Sequence, residues 1–366
     1  MSELKINNTP VRTSKNYQIN NIKLENIKFL ASEKFDNILY QDLDNENIEL
    51  SLMTSDFSLT YGVGKELENE VKQNSNVKLK LELKENTNRE NIISFIFDEE
   101  NTQLIDDIEI VANENVKGQI TLKYVAKKDS KVESKYDANN PCTNLHNGVI
   151  RTTMKSNSEL KLTVINLTSF STTNILAIEN ILSEKSKLEY NIVDFGGDSS
   201  VTNYYTELIG DNSENNLNTI YLGINKQLLD MNYIAETRGK NTKVNIDVQG
   251  AIKDEARKHF KGTIDFKRGG KKAEGSENEF CMLLSDEAKS ISLPMLLCDE
   301  EDVVGNHAAA AGKVNNKELF YLMSRGFTEK EAKTLMVRAR FNKVIENISN
   351  EDLKNELLTE IDYRLL

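Results

Sequence analysis

From about residue 76 the chain breaks into short segments in which apolar and polar residues alternate, at 77–83, 118–124, 159–164, 187–192 and 243–248. A period of two puts one set of side chains on each face of an extended backbone, so these segments predict β-strands. Polar turns precede several of them, such as Ser156-Asn157-Ser158, Glu184-Lys185-Ser186, Asp211-Asn212-Ser213 and Gly239-Lys240-Asn241. The strand starts Leu160, Leu188, Leu217 and Val244 recur at intervals of 27 to 29 residues. That is the scale of a repeat whose units stack on one another, and it suits a β-solenoid. A β-sandwich, with strands every ~8–12 residues, accounts for the shorter sub-spacings equally well. Periodicity alone leaves both open.

The two flanks differ from this middle. Residues 1–75 form a separate mixed α/β segment, with Tyr17, Phe29, Phe35 and Phe57 as expected core contacts. After Gly312 the pattern is helical to Leu366. Asn315 with Glu318 reads as a capping-box variant, Gly326 as a C-terminal left-handed glycine, and Thr328 with Glu331 as the start of a second helix. Leu319, Phe320, Leu322 and Met323 can line one side of the first helix; Ala332, Leu335, Met336 and Ala339 repeat at helical spacing on the second. Roughly 50 residues cannot bury much by themselves, so this part is expected to dock on something. The expected organisation is a mixed segment over 1–75, a strand-rich core over 76–304 and a helical domain over 305–366.

Composition narrows the class. The 366 residues are 38% hydrophobic, enough for a sizeable core, and hold no apolar run of membrane-spanning length. The N-terminus lacks the apolar stretch of a secretory signal, and three cysteines (Cys142, Cys281 and Cys298) are too few for a disulfide framework. A cytoplasmic protein without membrane contact is expected. A net charge of -12 disfavours nucleic acid as a partner, since that requires clustered Lys and Arg. The run from Lys267 to Lys272 is the local exception and reads as a solvated loop.

Catalytic constellations are scarce. His146, His259 and His307 lie far apart in sequence, and no Ser or Cys sits in a nucleophile motif. Gly62-Val63-Gly64-Lys65 fails as a phosphate loop, because Glu66 replaces the Mg²⁺-binding hydroxyl and Leu59 stands where the first glycine belongs. No enzymatic activity is expected. His307 stands out as a metal-ligand candidate in a small-residue stretch from Gly305 to Gly312, where a neighbouring backbone can approach closely. Cys281 and Cys298 read as small core hydrophobes.

The stretch His307-Ala308-Ala309, followed by Leu319-Phe320-Tyr321-Leu322-Met323-Ser324-Arg325-Gly326 and Glu331-Ala332, resembles the C-terminal region of the SufB/SufD family, scaffold subunits of the Suf iron–sulfur cluster assembly machine. Phe260-Lys261-Gly262-Thr263-Ile264, Asn278 to Ser285 and Pro294 also fall where that family places such residues, and Pro10 to Tyr17 looks like its N-terminal Pro-x-Arg motif. The resemblance implies a right-handed parallel β-helix core, mainly β, with a mixed N-terminal segment and a C-terminal α-helical domain. It implies a subunit working with a SufB-like paralogue and the SufC ATPase, no tightly bound cofactor, and a transient Fe–S cluster at the interface, where His307 meets a cysteine of SufB. It implies SufC docking through Leu319, Phe320, Leu322, Met323, Arg325, Ala332, Leu335 and Met336. The family's SufB-type cysteine falls at Phe280, and Ala308 replaces the SufB-type acid; with the short chain, these departures point to the SufD side. The alternative is a SufB-like scaffold acting with SufC alone as a homodimer. A solenoid lyase or adhesin would require a secretion signal.

Overall fold

The computed structural model describes residues 4–13, 19–24, 27, 29, 34–44, 47–51, 56–87, 89–127 and 143–366. Two nine-stranded sheets face each other. The first contains β3 (Ile38–Gln41), β6 (Glu90–Phe97), β8 (Lys117–Ala126), β10 (Glu159–Leu167), β12 (Lys187–Asp194), β14 (Glu214–Gly223), β16 (Lys243–Ile252), β18 (Ala273–Leu283) and β20 (Val303–Lys313). The second contains β4 (Ile48–Ser51), β5 (Val77–Leu83), β7 (Gln103–Ala112), β9 (Asn144–Met154), β11 (Thr172–Leu182), β13 (Ser199–Leu208), β15 (Leu228–Thr237), β17 (Arg257–Phe266) and β19 (Lys289–Cys298). From β5 onward consecutive strands alternate between sheets, and every neighbour within a sheet is parallel. This is a parallel β-solenoid, as the family resemblance implies, and not the sandwich that periodicity alone left open.

The corners explain the repeat. Asn157, Lys185, Asn212 and Asn241 adopt left-handed φ of 53° to 59°. Asn tolerates this conformation better than most residues. Each corner backbone donates to the next, Asn157 N to Glu184 O (2.9 Å), Lys185 N to Asp211 O (2.9 Å) and Asn212 N to Lys240 O (2.8 Å). The following serines close the turns, with Ser158 Oγ on Lys155 O and Ser186 Oγ on Ser183 O. Where corners stack most closely no side chain fits: a Cβ on Gly239 would lie 2.2 Å from Gly210 O. One spacing needs correction. Asn215, not Leu217, lies in register with Leu188 and Val244; the two-residue offset kept Leu217 on the same face and hid the slip.

Inward positions of both sheets form the main core, including an aromatic ladder of Tyr190, Tyr204, Tyr233 and Phe260 with ring centroids 5.1 to 5.9 Å apart. The outer faces are covered as well, which is why β10 to β15 are buried almost throughout rather than on alternate residues. A hairpin of β1 (Leu4–Ile6) and β2 (Ile22–Leu24), together with α1 (Lys65–Asn74), packs on the second sheet. Helices α3 (Glu329–Asn347) and α4 (Glu351–Leu365) pack on the first through Val337, Phe341, Val344, Leu353, Leu357 and Ile361.

The N-terminal segment is less separate than expected. β3 and β4 extend the two sheets antiparallel to β6 and β5, and Phe35 enters the solenoid core against Phe97 at 5.3 Å. Phe57 is buried under the hairpin and Phe29 is half-buried there; Tyr17 lies outside the described residues, as does Cys142. At the other end, residues expected as helical domain from 305 include strand β20; helix begins at Asn316 in α2 (Asn316–Ser324). Alanine is a weak strand former, but pairing with β18 overrides propensity. The expected caps form: Asn315 accepts from Lys317 N, Gly326 has φ 100°, and Thr328 with Glu331 makes a full capping box. Glu318 differs from the box pattern in bonding the Asn315 side chain rather than its backbone.

Candidate functional site

The C-terminal end of the solenoid is open. β19 and β20 end their sheets, and no described strand pairs with their outer edges. Residues 304–311 are exposed throughout. His307 sits in the middle of β20, in register with Glu277 of β18. It is therefore a strand residue, not part of the helical domain expected from 305. A Cβ at Gly305 would face Phe266 and Leu296 inside the solenoid, so His307, two residues on, shares that inward face at the mouth.

Behind His307 the lumen carries charged side chains. Glu277, Glu279 and Cys281 occupy successive inward positions of β18, all buried. Lys258 of β17 pairs with Glu279 at 2.7 Å, both side chains fully buried, and also donates to Ser292 Oγ at 2.9 Å. Tyr221 donates to Glu279 at 2.9 Å. Burial pushes the Cys281 thiol and the Tyr221 hydroxyl upward in pKa, so Cys281 is a poor thiolate and the core residue expected. Glu277 has no hydrogen-bond partner on either oxygen. Burial first, and then the neighbouring Glu279 charge, push its carboxyl up to about 8. Leaving such a group unpaired costs on the order of 1–3 kcal/mol.

The remaining sequence candidates scatter. His146 is buried in the lumen near the other end, between Asp106 (2.7 Å) and Asn174 (2.6 Å). His259 faces outward near Asp230, where burial lowers its pKa. Phe280, the position expected for a SufB-type cysteine, lies on the outer face under the Arg340 guanidinium at 4.1 Å. Cys298 is exposed at the end of β19, with Sγ on Glu300 O; the expectation of a core cysteine fails there because the open end leaves nothing to cover it. Among the described residues no group of three His, Cys, Asp or Glu side chains is arranged to hold a metal ion.

Helix α2 leaves β20 after only Val314 and Asn315 and buries none of its residues. Phe320 is 74% exposed, Tyr321 57%, Met323 44% and Leu335 of α3 41%. With Leu322, Met336 and Ala339, two of these, Tyr321 and Leu335, line a groove of about 440 Å³. Leu319 is half-buried, and Arg325 is exposed and stacks on Tyr321 at 5.2 Å. Ala332, by contrast, is fully buried within the fold and offers no surface. Sequence reasoning missed Tyr321 as a groove residue, and missed Lys258, Glu277 and Glu279, because charged residues in an alternating segment read as the solvent face.

Comparisons with known proteins agree with this architecture. The family model described as "SUF system FeS cluster assembly, SufBD core domain" matches residues 95–340. The iron–sulfur cluster assembly protein SufD of Bacillus subtilis is 29% identical over 202 residues, 55% of this chain and 46% of that protein. SufD of Escherichia coli is 25% identical over 164 residues, 44% of this chain and 38% of that protein. A SufBD family protein of Synechocystis is 28% identical over 229 residues, 59% and 46% of the two chains. The chain thus spans less than half the length of these relatives. With a solenoid core, an open strand end bearing His307 and a family match over most of its strands, this chain belongs to the SufBD family of the SUF iron–sulfur cluster assembly system.

Proposed function

We propose that this chain is a SufD-like, non-enzymatic scaffold subunit, cytoplasmic, that joins a SufB-like paralogue through its open solenoid end. The observation that carries the reading is that open end: two strand edges that no described strand pairs, with a histidine among residues of minimal bulk. Unpaired edges are templates for another chain, and native proteins otherwise cover them. An imidazole suits iron as a ligand, and with no complete ligand set among the described residues the partner must supply the rest. The Fe–S cluster is cargo built at the interface.

The α2–α3 surface is the proposed SufC contact. Its apolar side chains are exposed although α3 and α4 have already satisfied their own burial on the sheet. β20 runs into α2 through two residues. A nucleotide-driven movement of SufC would therefore pull directly on the strand that carries His307. A homodimer with SufC remains the second reading, supported by the same edges, which a second copy could equally extend.

The test is reconstitution with SufB-like and SufC proteins and mass measurement of the complex. Ala308→Arg with Ala310→Arg, two exposed positions on the edge strand, should abolish association with the SufB-like subunit and retain SufC. Association unchanged in that double variant would place the interface elsewhere.

A further inference from the structure

Glu277 is the residue the fold does not account for. It points into the solenoid on the face of β18 that also carries Ala273, Gly275, Glu279 and Cys281, where an apolar side chain would serve packing better. Its neighbour Glu279 is fully engaged by Lys258, Tyr221 and Ser292, so the cation of the cluster is already committed. Both Glu277 oxygens lack a partner. Yet room has been made for them: Gly262 on the facing sheet is the one residue type that fits, since a Cβ there would come within 2.3 Å of the carboxyl. The carboxyl thus occupies a cradle with nothing in it to bind.

The nearest residue on the open side is His307. The register sets Glu277 and His307 directly opposite on adjacent parallel strands, with the same inward parity, about 4.8 Å apart in the hydrogen-bonding direction. Glu277 is the last buried acid of that face and His307 the next position toward solvent. A histidine that binds metal through one ring nitrogen typically gives its other N–H to a carboxylate, which fixes tautomer and ring orientation.

We propose that Glu277 is the positioning residue of His307: its carboxyl accepts the imidazole N–H facing into the solenoid and holds the second nitrogen outward from the open end. The inference rests on His307 acting as an iron ligand; in this structure the Glu277 oxygens have no partner, so the pairing requires the carboxyl to turn toward β20, and it is testable in the free chain without a cluster.

The test uses ¹⁵N imidazole spectra of the full chain, whose three histidines are assigned with His307→Ala. In the unaltered chain His307 should show one ring nitrogen held protonated; Glu277→Leu should give the averaged signals of an exposed histidine, and Glu277→Gln, which keeps an acceptor oxygen, should restore part of the preference. In the reconstituted complex Glu277→Leu should weaken iron binding about tenfold and add nothing in a His307→Ala background. A thermal melt of each variant confirms folding; should Glu277→Leu not fold, Glu277→Gln carries the comparison, with a measurable loss of tautomer preference as the expected result. Identical His307 spectra in the unaltered chain and the folded Glu277 variants would overturn the proposal. If His307→Ala retains normal cluster content, the ligand reading fails, while the spectra still decide the pairing.

Discussion

The two ends of the solenoid are built differently. At the N-terminal end β3 and β4 turn antiparallel against β6 and β5, and Phe35 closes the lumen against Phe97. At the C-terminal end no described strand pairs with the outer edges of β19 and β20, and the last strand is Gly- and Ala-rich. Stacked repeats bury a continuous core only between neighbours, so each end needs a cap. One end carries its cap in its own chain. The other has no described cap, and that is where the exposed His307 sits.

Breaking the closed end should have the largest effect on stability. Phe35 is 3% exposed, and Phe35→Ala should cost about 3–5 kcal/mol in denaturant unfolding. A cost near zero would mean that the N-terminal cap is not part of the cooperative unit.

The closed body also contains Asp194, which accepts from Ser200 (2.7 Å) and Asn166 (2.8 Å) beneath α4. Burial pushes its carboxyl up to about 6, against the lowering effect of those hydrogen bonds and of Arg364. A raised carboxyl stabilises the folded state only while protonated: its contribution is complete below about pH 4 and is lost as pH rises through about 6. Asp194→Asn should therefore gain on the unaltered chain across that window, by at most about 3 kcal/mol. Parallel stability-versus-pH curves for the two proteins would contradict this.

The open end should behave in the opposite sense. Ala308→Arg with Ala310→Arg should change stability by less than about 0.5 kcal/mol while removing association with the SufB-like subunit. Phe320→Asp with Leu335→Asp places charges where apolar contact is proposed, and both side chains are exposed; the body should stay folded while SufC co-elution is lost. Open-end substitutions that destabilise as much as Phe35→Ala would erase the distinction between the ends.

Much of the closed body was legible in the sequence. Alternation marked β5, β8, β10, β12 and β16, and the Asn-Ser corners set the repeat, because both reflect local rules of strand and turn. The open end was harder. The strand around His307 was assigned to the helical domain because pairing with β18, a contact between residues 30 apart, carries no local signal. Cys298 read as core because hydrophobicity cannot say which strand is last. Glu277 and Glu279 did not stand out because their parity becomes inward only once the register is known. The helix caps at Asn315, Gly326 and Thr328 were legible to the residue, yet which face of α3 would meet the sheet was not: Val337 and Phe341 do so, and Leu335 does not.

The most direct test of the open end as the place where clusters are built is iron and sulfide content of the reconstituted complex with His307→Ala, measured beside a thermal melt. Ala is already the local residue at 308 to 311, and His307 is exposed, so the melt should be unchanged within about 0.5 kcal/mol. Cluster content should fall severalfold with the complex intact. Normal iron and sulfide in an equally stable, fully assembled complex would contradict the claim that this histidine, and with it the open end, holds the cluster under construction.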